Sequence, residues 1–327
     1  MSIRTKLHEK PNSLDGAILA CFVSLITLHP YFLYGEINFF EMGFYLPGIN
    51  ALFNGLVPYR AFFLLRGPLE LYVPAALMSV FGKHVGVMSA YFYAGTVVSL
   101  ILCVLIAREL FRTRLVLYLF TLVLVARTFP RSVFTCWGGM RYALGLLALF
   151  CAIRAFKNGK PVWFLFAGIC ASLGLLTSIE IGACSAAGIS AALLLSFCLR
   201  LQPGKEILRS ALYFLAGIFL VMGSYFIYLA ASGSFAAYID VTNTVLTKLL
   251  NVLGDESAIY SHPNNLWEGI LAMSPANKHF DSLTPAYFYI LLTGYLVLRG
   301  KKRQWGKLEL MVTCIAVYGM VMFVAAF

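Results

Sequence analysis

Charge is scarce in this sequence. Only 12% of its residues are Asp, Glu, Lys or Arg, about half the ~25% of a soluble domain, and that excludes an ordinary water-soluble globule. Strict alternation of apolar and polar residues is missing too, which excludes a membrane β-barrel. Cysteines are not arranged as a framework: of eight, seven lie within apolar runs and Cys136 stands by itself in a polar connection, so no disulfide scaffold is implied. No metal-ligand spacing, internal repeat or low-complexity segment occurs. No glycine-rich phosphate loop stands at a strand–helix junction. The basic N-terminus leads into an apolar run without a small-residue cleavage site, so the run reads as a retained anchor.

What remains is apolar. Hydrophobic residues make up 61% of the 327, and the mean hydropathy is +0.83. Lipid requires each spanning segment to satisfy its own backbone, so the expected fold is an all-α integral membrane protein, a polytopic helical bundle of about nine spans. The expected spans are 17–34, 85–107, 115–128, 142–156, 162–178, 183–199, 211–231, 284–298 and 309–327, after a polar N-terminus over 1–16.

The net charge of +11 follows this layout. Arg4, Lys6, Lys10, Arg108, Arg112, Arg114, Arg154, Lys157, Lys160, Arg200, Lys205, Arg209, Arg299, Lys301, Lys302, Arg303 and Lys307 fall on one side, 17 of the 25 basic residues. That asymmetry is the positive-inside pattern, and it places the N-terminus on the cytoplasmic side. It accounts for the basic charge without a nucleic-acid partner.

Three polar connections fall on the other side, at 35–84, 129–141 and 232–281, with a short turn at Ser178–Gly182. The first is the most unusual. It holds two apolar pieces, 39–54 (interrupted by Pro47 and Gly48) and 68–81, whose length suits helices lying in the interface better than spans. Glu36, Glu41 and Glu70 are its carboxylates, and Arg60 and Arg66 its arginines. Glu41 sits among Phe39, Phe40, Phe44 and Tyr45, where partial desolvation raises a carboxylate toward useful basicity. Glu70 reads as a charge complementing a helix N-terminus.

The order Glu41-Met42-Gly43, Gly55, Pro58-Tyr59-Arg60-Ala61-Phe62, Gly67-Pro68-Leu69-Glu70-Leu71-Tyr72 and Phe81-Gly82 resembles the first outer loop of GT-C fold glycosyltransferases. The similarity is to the bacterial branch related to protein O-mannosyltransferases and lipid A aminoarabinose transferases, and its motifs cover about 45 residues. The resemblance implies a hexosyl or pentosyl transferase that moves a sugar from a polyprenyl-phosphate carrier to a lipid, glycan or protein acceptor at the outer membrane face. It assigns the family's first loop acid to Glu41, with Glu36 as second candidate. That acid serves as catalytic base or helps hold a divalent metal. Met42 and Ala61 stand where the family has further acids, so no metal ligand set is assigned and metal dependence stays open.

Arg60, Arg66, Tyr59, Arg141, Glu180, His262 and Lys278 are the expected phosphate- or substrate-binding residues. Guanidinium forks suit phosphate, and an ionisable residue between two apolar spans, as at Glu180, marks a functional site. Arg131 and Trp137 of the second connection are further contacts to the same cavity. Two other readings compete. One is a carrier or flippase for a lipid-linked glycan; the other is a non-catalytic membrane scaffold or fragment, because the sequence ends at Phe327 within an apolar run, as in a short protein or one whose C-terminal part is missing.

Overall fold

The computed structural model describes residues 8–27, 39–64, 66–128, 139–244, 280–301 and 305–325. Over these residues the chain is almost entirely helical, with twelve helices and no strand beyond one isolated bridge. In chain order they are α1 (Ser13–Thr27), α2 (Phe39–Phe53), α3 (Leu69–Phe81), α4 (Val85–Leu110), α5 (Arg114–Thr128), α6 (Gly139–Asn158), α7 (Val162–Thr177), α8 (Ile179–Cys198), α9 (Gly204–Ala231), α10 (Phe235–Thr244), α11 (Phe280–Lys301) and α12 (Lys307–Ala325).

Three of them, α4, α8 and α9, are long and apolar enough to cross a membrane. Their 26, 20 and 28 residues reach roughly 39, 30 and 42 Å at ~1.5 Å per residue, against a hydrocarbon core of ~30 Å. The 13 residues of α3 reach only about 20 Å.

The principal core is built by α6, α7, α8 and α12, with Ile106 of α4 and Phe214 of α9. Small residues bring its helices close. A Cβ on Gly168 of α7 would stand 2.1 Å from the Phe214 carbonyl oxygen, and one on Gly217 of α9 would stand 2.2 Å from that of Leu165. The two backbones therefore touch at this crossing, the arrangement that lets apolar helices gain van der Waals contact where lipid supplies no hydrophobic drive. A second core joins α2, α3 and the start of α4 through Tyr45, Ile49, Leu71, Met78, Met88 and Phe92. A third joins α1, α4 and α5.

The two ends of the bundle differ. At one end Glu109, whose side chain is 3% exposed, pairs with Arg108 (2.8 Å), Arg154 (3.1 Å) and Lys157. Asp15 pairs there with Arg114, and Glu309 with Arg299. Lys307 Nζ donates to the Lys157 carbonyl, joining the start of α12 to the end of α6. The opposite end carries the α7–α8 junction, the start of α6, the end of α9 and the 54–68 connection.

Three expectations need correction. Pro47 does not interrupt the first apolar piece, because α2 runs through it; a Cβ added at Gly48 would stand 3.1 Å from the Leu71 side chain, so α2 and α3 pack closely there. The Ser178–Gly182 turn reduces to Ser178 alone, in extended conformation (φ −157°), and Glu180 already lies in the first turn of α8. The span expected at 211–231 starts earlier, since α9 begins at Gly204 directly after Pro203.

Candidate functional site

The site starts from a backbone contact. Gly67 N–H donates to the Thr177 carbonyl at 3.0 Å, and a Cβ at Gly67 would lie 2.1 Å from the Leu176 carbonyl oxygen. Only glycine allows the loop before α3 to sit so closely on the end of α7. That contact delivers the preceding residue, Arg66, to the start of α8, where its Nη1 donates to Glu180 Oε1 at 3.0 Å.

Arg141, in the first turn of α6, brings its own Nη1 to 4.0 Å from the same oxygen. Arg66 and Glu180 are partly open, at 25% and 46% side-chain exposure, whereas Arg141 is buried at 7%. Two guanidiniums from distant parts of the sequence thus share one carboxylate at the end of the bundle opposite the Glu109 cluster. Guanidinium groups suit an anion, and the open flank of Glu180 gives it access.

Tyrosines wall this cluster. Tyr59 has φ 67°, a left-handed conformation that costs a non-glycine residue about 1 kcal/mol or more. Its N–H donates to the Phe62 carbonyl at 3.0 Å, closing the turn that holds it there. Its ring meets Tyr238 of α10 edge-on at 5.2 Å, and Tyr238 in turn meets Tyr225 of α9 at 5.8 Å. Tyr72 and Tyr228 share a hydroxyl–hydroxyl hydrogen bond of 2.8 Å. Burial pushes the Tyr59 phenol well above its ordinary value, and that of Tyr238 upward as well, so both stay neutral hydroxyls at physiological pH. Tyr59, Arg66, Tyr238 and Thr242 line one small cavity between the loop, α7 and α10.

A larger cavity of about 200 Å³ lies on the other side of Arg66, lined by Tyr45, Pro47, Gly48, Ala51, Phe62, Phe63 and Leu64. Apart from Arg66 and Tyr45 its side chains are apolar, and one wall is α2, the helix that contains Glu41. The Glu41 side chain lies outside the described residues, as do Glu36, Arg131, Trp137, His262 and Lys278.

Of the sequence-predicted residues, the structure therefore brings Arg66, Arg141 and Glu180 into one cluster and places Tyr59 beside it. Arg60 does not join; it is exposed and pairs with no described residue. Glu70 lies in the first turn of α3, as expected of a charge complementing a helix N-terminus, and is fully buried there with Tyr91 close by.

Tyr225, Tyr228 and Tyr238 were absent from the sequence-derived set. Their spacing in α9 and α10 marks an aromatic face, but nothing in the chain order ties that face to Tyr59 and Tyr72. Among the described residues no group of three or more His, Cys, Asp or Glu side chains converges. Glu180, already shared by two arginines, does not fit a divalent-cation site. Comparison of the chain with protein-family models, with curated proteins and with solved structures returns no match.

Proposed function

We propose that the chain is a membrane glycosyltransferase of nine spans, with its N-terminus cytoplasmic in a bacterial plasma membrane. It moves a sugar from a polyprenyl-phosphate carrier to an acceptor hydroxyl at the outer face. The observation that carries the reading is the convergence of Arg66 and Arg141 on Glu180 beside an apolar cavity walled by α2. A lipid-linked phosphate needs that combination of fixed cations next to an apolar wall. The ordered loop motifs around Glu41, Pro58-Tyr59-Arg60 and Gly67-Pro68-Leu69 support the same assignment.

In this reaction the acceptor oxygen attacks the anomeric carbon while Glu41 takes its proton. The carbon–oxygen bond to phosphate breaks, and the phosphate leaves with the electron pair toward Arg66 and Arg141. The anomeric centre passes through an oxocarbenium-like state and is inverted in the single displacement. Tyr59, a neutral donor, stands close enough to Arg66 to orient the substrate at the cavity they share.

The test uses purified full-length protein, polyprenyl-phosphate-linked sugars carrying an isotopic label, and envelope lipid and glycan acceptors, with products read by mass spectrometry. Transfer is expected from the wild type. Glu41→Gln should slow it by about 10²–10⁴-fold, the usual share of a positioned acid or base. Unchanged transfer in that variant removes Glu41 from the mechanism. Movement of the labelled lipid across vesicles with no sugar transfer makes the protein a carrier instead.

A further inference from the structure

A groove at the basic half of the bundle is separate from the site above. It lies between α4, α5, α6, α11 and α12, has a volume of about 470 Å³, and is lined almost wholly by apolar side chains, among them Cys103, Phe120, Leu149, Leu292 and Val312. Along α12 it runs from Tyr318 to Leu308, about 15 Å at the helical rise. A groove of that length and volume admits an extended acyl chain. Phe288, at the rim, is 57% exposed, so the groove opens sideways, where a membrane helix meets lipid.

Its mouth is charged. Leu110 and Leu308 end the lining, and their chain neighbours are Glu109 and Lys307. Among the described residues at this end the cations Arg108, Arg112, Arg114, Arg154, Lys157, Arg299 and Lys307 stand with the carboxylates Glu9, Asp15, Glu109 and Glu309, and Arg114 takes Glu9 and Asp15. Glu109 is already shared by three of these cations and Glu309 is taken by Arg299 and Tyr295. Lys307 is exposed and reaches the Lys157 carbonyl at 3.2 Å, which fixes an ammonium at the mouth without neutralising it.

We infer that this groove binds an anionic phospholipid of the adjoining leaflet, with one acyl chain between α11 and α4 and the phosphate at Lys307 and Lys157. Basic pockets between membrane helices hold anionic headgroups for the same reason. The lipid would complete the packing of α11, whose main contact is with α12.

The experiment is native mass spectrometry of the full chain in detergent, with phosphatidylglycerol and phosphatidylcholine added in turn. Phosphatidylglycerol should remain bound through detergent exchange and phosphatidylcholine should not. Lys307→Gln should weaken retention about fivefold, the worth of one basic residue near a lipid headgroup. Lys205→Gln, an exposed lysine at the start of α9 and away from the groove, should leave retention unchanged. Leu292→Trp, which fills the channel, should abolish it while the protein stays monodisperse. Equal retention of both lipids, equal loss in Lys205→Gln and Lys307→Gln, or preferential retention of polyprenyl phosphate over phosphatidylglycerol each overturns the assignment.

Discussion

Two carboxylates show how burial separates a structural charge from one proposed to act on substrate. Glu109 is nearly sealed and holds three cations. Taking away its charge leaves those cations crowded and uncompensated, a change that costs about 3–5 kcal/mol when a buried pair is broken. Arg154 and Lys157 are about one-third exposed and can turn to water, which places the loss at the lower end of that range. Glu180 is the opposite case. Its pair with Arg66 is solvent-screened, and exposed pairs contribute only about 0–1 kcal/mol. Glu109→Gln should therefore lower the apparent melting temperature in detergent by several degrees, with Glu180→Gln indistinguishable from wild type. Sugar transfer should fall in Glu180→Gln, because Arg66 loses the partner that aims it. A melting temperature that falls equally in both variants refutes the contrast.

At the scale of elements, the site depends on a loop being laid against a helix end. Gly67 allows that contact, and a methyl there would meet the backbone of Leu176 and Thr177 at 2.1–2.8 Å. Backbone cannot give way as a flexible side chain can, so Gly67→Ala must lift the 54–68 connection from α7. Arg60, already exposed within that connection, reports the change: trypsin should cleave after it faster in Gly67→Ala than in wild type. Gly86→Ala, where nothing lies within 4 Å of the added methyl, should cleave at the wild-type rate; equal rates in all three proteins would show that the contact does not hold the loop.

The helices themselves were legible, because their apolar runs are long and bounded by charges: 85–107 was expected where Val85–Leu110 forms, and 68–81 where Leu69–Phe81 forms. The glycine and proline signals misled. Pro47 and Gly182 look like breaks in the chain, yet Pro47 sits inside α2 and Gly182 is the point where α8 approaches Leu175. Local propensity yields there to tertiary contact. Arg66, Arg141 and Glu180 were expected among the binding residues, with Arg141 facing the same cavity as the loop arginines, but the pairing of both arginines with Glu180 was not legible, since it depends on how α6, α7 and α8 are arranged. The tyrosines of α9 and α10 were missed for the same reason.

Over the whole molecule, the two ends are chemically distinct, and that asymmetry makes the orientation testable. The starts of α1, α5, α7 and α12 and the ends of α4, α6 and α11 share the basic end. The Arg66–Arg141–Glu180 cluster and the tyrosines occupy the other. A lysine or arginine is costly to translocate, so the proposed orientation keeps the basic end in the cytoplasm. Single cysteines introduced in a background with the native cysteines replaced then give opposite results in intact cells. Arg60→Cys and Asp240→Cys, both exposed at the end that carries the site, should react with a membrane-impermeant maleimide. Lys160→Cys, exposed beside the positive-φ turn at Gly159, should react only after the membrane is opened. Labelling of Lys160→Cys in intact cells, with Arg60→Cys protected, would invert the protein. An inverted protein would expose the site to the cytoplasm, so transfer at the outer face would fall together with the assumed orientation. The pattern expected from the charge leaves the site facing outward, as the proposed transfer from a lipid-linked sugar to an envelope acceptor requires.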